Sequence, residues 1–197
     1  MNIYLKTCSL YEVKKAAGYG LIDGIVLLSE EGEQKCVATD NDSKSIVASV
    51  NGPVFVSATG KDSDELLSDV RELLRLSPST VIKIKPTLEG FKVCKMLASK
   101  NVSVNMSGLD SITKAILAAK SGAEFISFDI SKLKQKHGLE YDVLTETVKL
   151  MDRHGLHAHV LADISDETID LDKVIGTGIN GVEISFKVLM SFMGNDS

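Results

Sequence analysis

Two amines stand two residues apart in the run Thr80-Val81-Ile82-Lys83-Ile84-Lys85, whose β-branched residues predict a strand. Strand periodicity puts Lys83 and Lys85 on the same face. A lysine carried into a desolvated opening favours its neutral form, and a neutral amine can attack a carbonyl carbon. Lys6 closes another alternating run, residues 2–6, and a second cation near Lys83 would favour the free amine further. Asn105 and Ser107 can hydrogen-bond substrate hydroxyls or tie strands together. His154, His157, His159 and Asp163 are metal-ligand types, but their spacing fits no zinc pattern, so no metal is expected. Gly176-Thr177-Gly178-Ile179-Asn180-Gly181 spells G-x-G-x-x-G. It follows a helical pattern and leads into a strand, the reverse of a dinucleotide fingerprint, so no cofactor is expected either. The pairs Asp40/Asp42, Asp62/Asp64 and Asp170/Asp172 lack the glycine and glutamate of a calcium loop and read as helix starts. Cys8, Cys36 and Cys94 are odd in number and far apart, and read as reduced thiols.

The elements that must position these groups repeat one theme: a short apolar run, a turn, then a helical pattern. Strands are predicted at residues 2–6, 24–28, 54–59, 80–85, 102–105, 124–128, 157–162 and 182–184. Helices are predicted at 10–17, 40–48, 62–76, 87–99, 110–120, 141–153, 166–175 and 186–192. The clearest is 62–76, where Leu66, Leu67, Val70, Leu73 and Leu74 form an apolar stripe. Ser9 and Thr87 are placed to cap their helices. Strict alternation means a parallel sheet with helical crossovers. Eight units favour a closed (β/α)8 barrel, with an open doubly wound sheet as the alternative. One barrel domain is expected over residues 1–197. Chemistry in such a barrel sits at the C-terminal strand ends, which singles out Lys6, Leu28, Thr59, Lys83, Asn105, Phe128, Asp163 and Ser185.

Composition narrows the partners. A formal charge of -5 and the absence of a basic stripe interleaved with aromatics argue against nucleic acid. No apolar stretch reaches the roughly 18 residues of a membrane span. The first residues lack the charged-then-apolar order of a signal peptide, so a cytoplasmic chain is expected.

Ordered motifs add a resemblance. Residues 80–90, Thr80-Val81-Ile82-Lys83-Ile84-Lys85-Pro86-Thr87-Leu88-Glu89-Gly90, resemble the V-K-I-P-x-T-x-x-G strand of small transaldolases of the fructose-6-phosphate aldolase type. Lys100-Asn101-Val102-Ser103-Val104-Asn105-Met106-Ser107 is similar to E-G-I-x-T-N-V-T. Residues 115–127 resemble A-x-L-A-A-K-A-G-A-x-Y-V-S. Ile184-Ser185-Phe186-Lys187-Val188-Leu189 resembles I-P-F-K-V-L. The likeness runs in order over nearly the whole chain. It implies a (β/α)8 barrel, a sugar or small carbonyl substrate, homo-oligomers, and Lys83 as the lysine that forms a Schiff base.

The departures matter as much. The family's first strand ends in L-D-T, with a proton-transferring aspartate, where this chain has Leu5-Lys6-Thr7. The family's asparagine after the second strand is replaced by Leu28. Lys132 stands where the family has a phosphate-binding arginine, and Asp163 and Ser165 stand for its serine and arginine. A carboxylate at Asp163 would repel phosphate, and Ser165 supplies no guanidinium fork. Two functions follow as expectations. One is a Schiff-base aldolase that uses sugar phosphates poorly. The other is a non-catalytic barrel that binds a metabolite or assembles with partners, with Lys83 silenced by a carboxylate such as Glu183 under an apolar mouth around Val26, Leu27 and Leu28.

Overall fold

The structure is a computed structural model. It describes residues 1–27, 41–165 and 168–193, and at 41, 42, 136 and 137 the backbone alone. Leu28, Cys36, Asp40 and Asp166 therefore lie outside the described residues, as does the Asp42 side chain.

The chain alternates β1 (Asn2–Lys6), α1 (Leu10–Gly18), β2 (Gly24–Val26), α2 (Asn41–Val47), β3 (Val54–Ser57), α3 (Ser63–Leu73), β4 (Thr80–Ile84) and α4 (Leu88–Ala98). It continues through β5 (Val104–Leu109), α5 (Ile112–Lys120), β6 (Phe125–Asp129), α6 (Ile130–His137), α7 (Glu140–Arg153), β7 (His159–Ile164), α8 (Leu171–Gly176), β8 (Gly181–Ser185) and α9 (Phe186–Phe192). Every neighbouring strand pair is parallel, and β8 returns to β1 to close the barrel. No helix among the described residues is long and apolar enough to cross a membrane.

Strand alternation divides the side chains into two cores. Outward residues such as Leu5, Ile25, Val56, Ile82, Met106, Ile126, Phe128, Val160 and Ile184 are buried against the helices. Inward residues Tyr4, Val26, Phe55, Val81, Phe125 and Leu161 make a separate cluster inside the barrel. Its centre is aromatic: Tyr4 meets Phe55 at 4.8 Å and Phe55 meets Phe125 at 5.1 Å, both edge-on. Such pairs add about 0.5–1.5 kcal/mol each beyond their buried area. Glycines make room for them, since a Cβ on Gly181 would come within 3.2 Å of the Tyr4 ring. This packed layer gives the barrel a floor.

Several expectations are corrected. An additional helix, α6, follows β6; it opens on Asp129, whose carboxylate accepts from the Lys132 amide at 3.0 Å, and closes on left-handed Gly138. Four lysines and histidines in its eight residues hid the apolar stripe that marks a helix. Strand β5 runs on to Leu109 across a bulge at Gly108, whose φ of 74° suits glycine. Phe128 faces outward, so Ser127 and Asp129 are the inward residues at the mouth end of β6. Leu74 lies beyond the last turn of α3 and is 37% exposed. Cys8 is disulfide-bonded rather than a reduced thiol, whereas Cys94 is free and buried.

Candidate active site at the C-terminal mouth

Lys83 sits on the inner face of β4 and is 7% exposed. Strand β4 carries it there because Val81 and Lys83 point inward while Ile82 and Ile84 anchor the outer face. The turn that follows is fixed by Thr87, whose hydroxyl accepts from the Gly90 amide at 3.0 Å and caps α4. Gly90 is required by close approach, because a Cβ there would lie 2.1 Å from the Lys85 carbonyl oxygen. The glycine of the lysine-strand motif therefore lets α4 dock on the strand end that carries the amine.

The Lys83 ammonium donates to the Glu183 carboxylate on β8, which has no exposure. The other carboxylate oxygen of Glu183 accepts from the Ser127 hydroxyl at 2.6 Å and from the Asn105 amide at 3.1 Å. Asn105 also donates to Ser127 at 2.8 Å. Strands β4, β5, β6 and β8 thus converge on one buried polar cluster directly above the aromatic floor. Burying a charge without a partner is costly, and here each charge has one.

A second ion pair lies further out. Lys6 on β1 reaches across to Asp163 on β7 at 2.5 Å and donates to Ser165 at 3.0 Å. Two surface pairs stand at the rim: Lys132 with Asp129 at 3.0 Å, and Lys114 with Asp110 at 2.9 Å.

Above these groups the barrel opens into a cavity of about 770 Å³ that Lys6, Lys83, Ser107, Lys132, Asp163 and Ser165 line. A neighbouring cavity of about 440 Å³ reaches Lys83 from between β3 and β4, past Ser57 and Thr87. Lys6, Lys83, Ser107, Lys132, Asp163 and Ser165, each weighed as a site residue from the sequence, therefore share one cavity wall. Asn105 lies beneath it, tied to Glu183 and Ser127. Lys85 borders both cavities and is exposed. Val26 and Leu27 are buried at the cavity edge, where most of the other lining residues are polar or charged.

Ser127 is the member that sequence reasoning missed. Its signal was available, since it alternates with Phe125 on β6 and shares that strand's inner face. The histidines lie elsewhere. His159 begins β7 at the opposite end of the barrel, its ring 5.3 Å from Phe125, and no group of three or more metal-ligand side chains occurs among the described residues. The glycine-rich run 176–181 joins the end of α8 to β8.

Comparison with known proteins converges on one family. A family model described as Transaldolase/Fructose-6-phosphate aldolase matches residues 27–189. A probable transaldolase of Kosmotoga olearia is 30% identical over 193 residues, covering 96% of this chain and 87% of that protein. A probable transaldolase of Pelotomaculum thermopropionicum is 26% identical over 199 residues, covering 99% of this chain and 91% of that protein. Among solved structures, a flavocytochrome B2 mutant superposes with a TM-score of 0.60 at 17% identity. The match covers 94% of this chain and 56% of that one, and at this identity it speaks for the barrel alone.

Proposed function

The chain belongs to the transaldolase/fructose-6-phosphate aldolase family, and on that premise we propose that it is a Schiff-base aldolase for a small, uncharged carbonyl compound or sugar, with Lys83 as its nucleophile. The observation that carries this reading is the position of Lys83: a nearly buried amine in the wall of a cavity that other polar side chains share, on the strand end where barrel enzymes place their chemistry. A cavity of about 770 Å³ has room for a small sugar. The nitrogen attacks the carbonyl carbon and water leaves; the resulting iminium draws electrons from the bond between the α and β carbons, so the amine-bound half becomes an enamine while the β-hydroxyl gives up its proton and its carbon leaves as an aldehyde.

The electrostatics of the mouth favour an uncharged substrate. Lys6 is held by Asp163, Lys132 by Asp129 and Lys114 by Asp110. A phosphate seeking Lys6, Lys132 or Lys114 would have to displace a carboxylate, and Asp163 would repel it. Ser107 on the cavity wall suits a substrate hydroxyl.

One observation favours a second reading. The Lys83–Glu183 ion pair can hold the amine as an unreactive ammonium, and the barrel would then bind a metabolite without turnover. One experiment separates the two. The protein is incubated with dihydroxyacetone, fructose or fructose 6-phosphate, reduced with borohydride, and weighed by mass spectrometry. The aldolase reading expects a covalent adduct with dihydroxyacetone and fructose, a weaker one with fructose 6-phosphate, and none in Lys83→Met. Absence of an adduct with every carbonyl compound would leave the binding barrel.

A further inference from the structure

The family's proton-transferring aspartate is missing from β1, where Lys6 stands paired to Asp163 on β7, one strand beyond β8. If Lys83 reacts, some other group must take and return its protons. The geometry points to Glu183 on β8 as that acid–base residue, a role that rests on the Schiff-base reading above.

Three observations support the assignment. First, contact is direct: the Glu183 carboxylate accepts from the Lys83 nitrogen, the reacting atom itself. Second, one face of the carboxylate is committed and the other is available. Oε1 is held by Ser127 and Asn105 at 2.6 and 3.1 Å, which fixes the group's orientation and leaves Oε2 on the amine. Ser127 and Asn105 are thus positioning residues. Third, the carboxylate is closed to solvent while its partner lines the cavity, so protons exchanged at Lys83 have a nearby carrier that does not compete with water. A buried glutamate inside a barrel serves packing poorly, and the same volume of apolar residue would fill the space without the cost of burying charge.

The step balances without a co-reactant. Glu183 accepts one proton from the Lys83 ammonium, and the freed nitrogen lone pair forms the C–N bond as the carbonyl electron pair moves onto oxygen. Protonated Glu183 gives its proton to that oxygen. The nitrogen, now carrying an extra proton, returns it to Glu183. Glu183 passes this proton to the new hydroxyl, which leaves as water while the nitrogen pair closes the C=N bond. Ammonium and ketone have become iminium and water, and Glu183 is a carboxylate at both ends.

The test compares rates of borohydride trapping with dihydroxyacetone for the full chain and two variants. Glu183→Gln keeps an oxygen for Ser127 and Asn105 but cannot carry the proton. The expected result is a fall of about 10²–10⁴-fold in trapping rate, the range of a lost general acid–base group, at a similar half-saturating concentration. Glu183→Asp, which retains a carboxylate set back by one methylene, is expected to recover part of that loss. A Glu183→Gln protein that traps at the wild-type rate or faster overturns the proposal, because it would mean the carboxylate only restrains the amine. Should Glu183→Gln fail to fold, Glu183→Asp decides: a fall of at least about tenfold supports the role, and an unchanged rate refutes it. Failure of the wild-type chain to trap any carbonyl compound would instead remove the Schiff-base reading on which the assignment stands.

Discussion

Replacing Lys83 by Met should destabilise the fold far more than removal of a surface lysine. The side chain is 8% exposed and its partner Glu183 has none. Met fills much of the same space, so the dominant loss is electrostatic rather than steric. It leaves a carboxylate sealed in the barrel, still held at one oxygen by Ser127 and Asn105 but stripped of its counter-charge. Removing one member of a buried pair costs about 3–5 kcal/mol. With a urea slope of about 3 kcal/mol/M, the midpoint should fall by at least about 1 M. The double variant Lys83→Met/Glu183→Gln restores charge balance and should recover more than half of the loss, a coupling readable in a double-mutant cycle. Equilibrium urea unfolding followed by circular dichroism provides all four values. A single-variant loss below about 1 kcal/mol, with no recovery in the double, would refute the buried-pair reasoning.

Two further outcomes follow from the scaffold. Burial raises the Tyr4 phenol above its ordinary value, with the nearby Asp23, Glu183 and Glu124 carboxylates acting in the same direction. A group whose folded value is raised stabilises the fold below its unfolded pKa, about 10, and loses that contribution as pH rises past it. Tyr4→Phe should therefore flatten the alkaline decline in melting temperature above about pH 10, and an unchanged slope would count against a buried phenol. Gly90→Ala should lower the melting temperature and slow trapping together, since the added Cβ would clash with the Lys85 carbonyl at 2.1 Å; wild-type behaviour in both assays would contradict the close docking of α4.

Much of the barrel could be read directly from the sequence. Short apolar runs located all eight strands, although the fifth was ended too early at Asn105, and Ser9 and Thr87 cap α1 and α4 as their types suggest. The errors have physical causes. Ending the sixth strand on Phe128 put the wrong residue at the mouth, because side chains change face at every step along a strand. Helix α6 was hidden by its charge, although Asp129 and Gly138 signalled both its ends. At the site, Lys83 was legible because cations in a β-branched strand are conspicuous and the motif likeness singles out the first of the two, Lys83 rather than Lys85. Glu183 was visible only as a possible partner. Its contact with Lys83 spans 100 residues of sequence and exists because closure brings β8 within reach of β4 across the barrel interior. The Lys6–Asp163 bridge has the same origin in closure, since β1 and β7 both flank β8. Neither pairing has a local signature.

Peptide mapping of the borohydride-reduced dihydroxyacetone adduct tests the central claim most directly. The adduct should fall on Lys83 and should be absent from Lys6 and Lys85, the other two lysines on β1 and at the end of β4 that border the cavity. A stable adduct on either of those lysines with Lys83 unmodified, or no adduct at all, would contradict it.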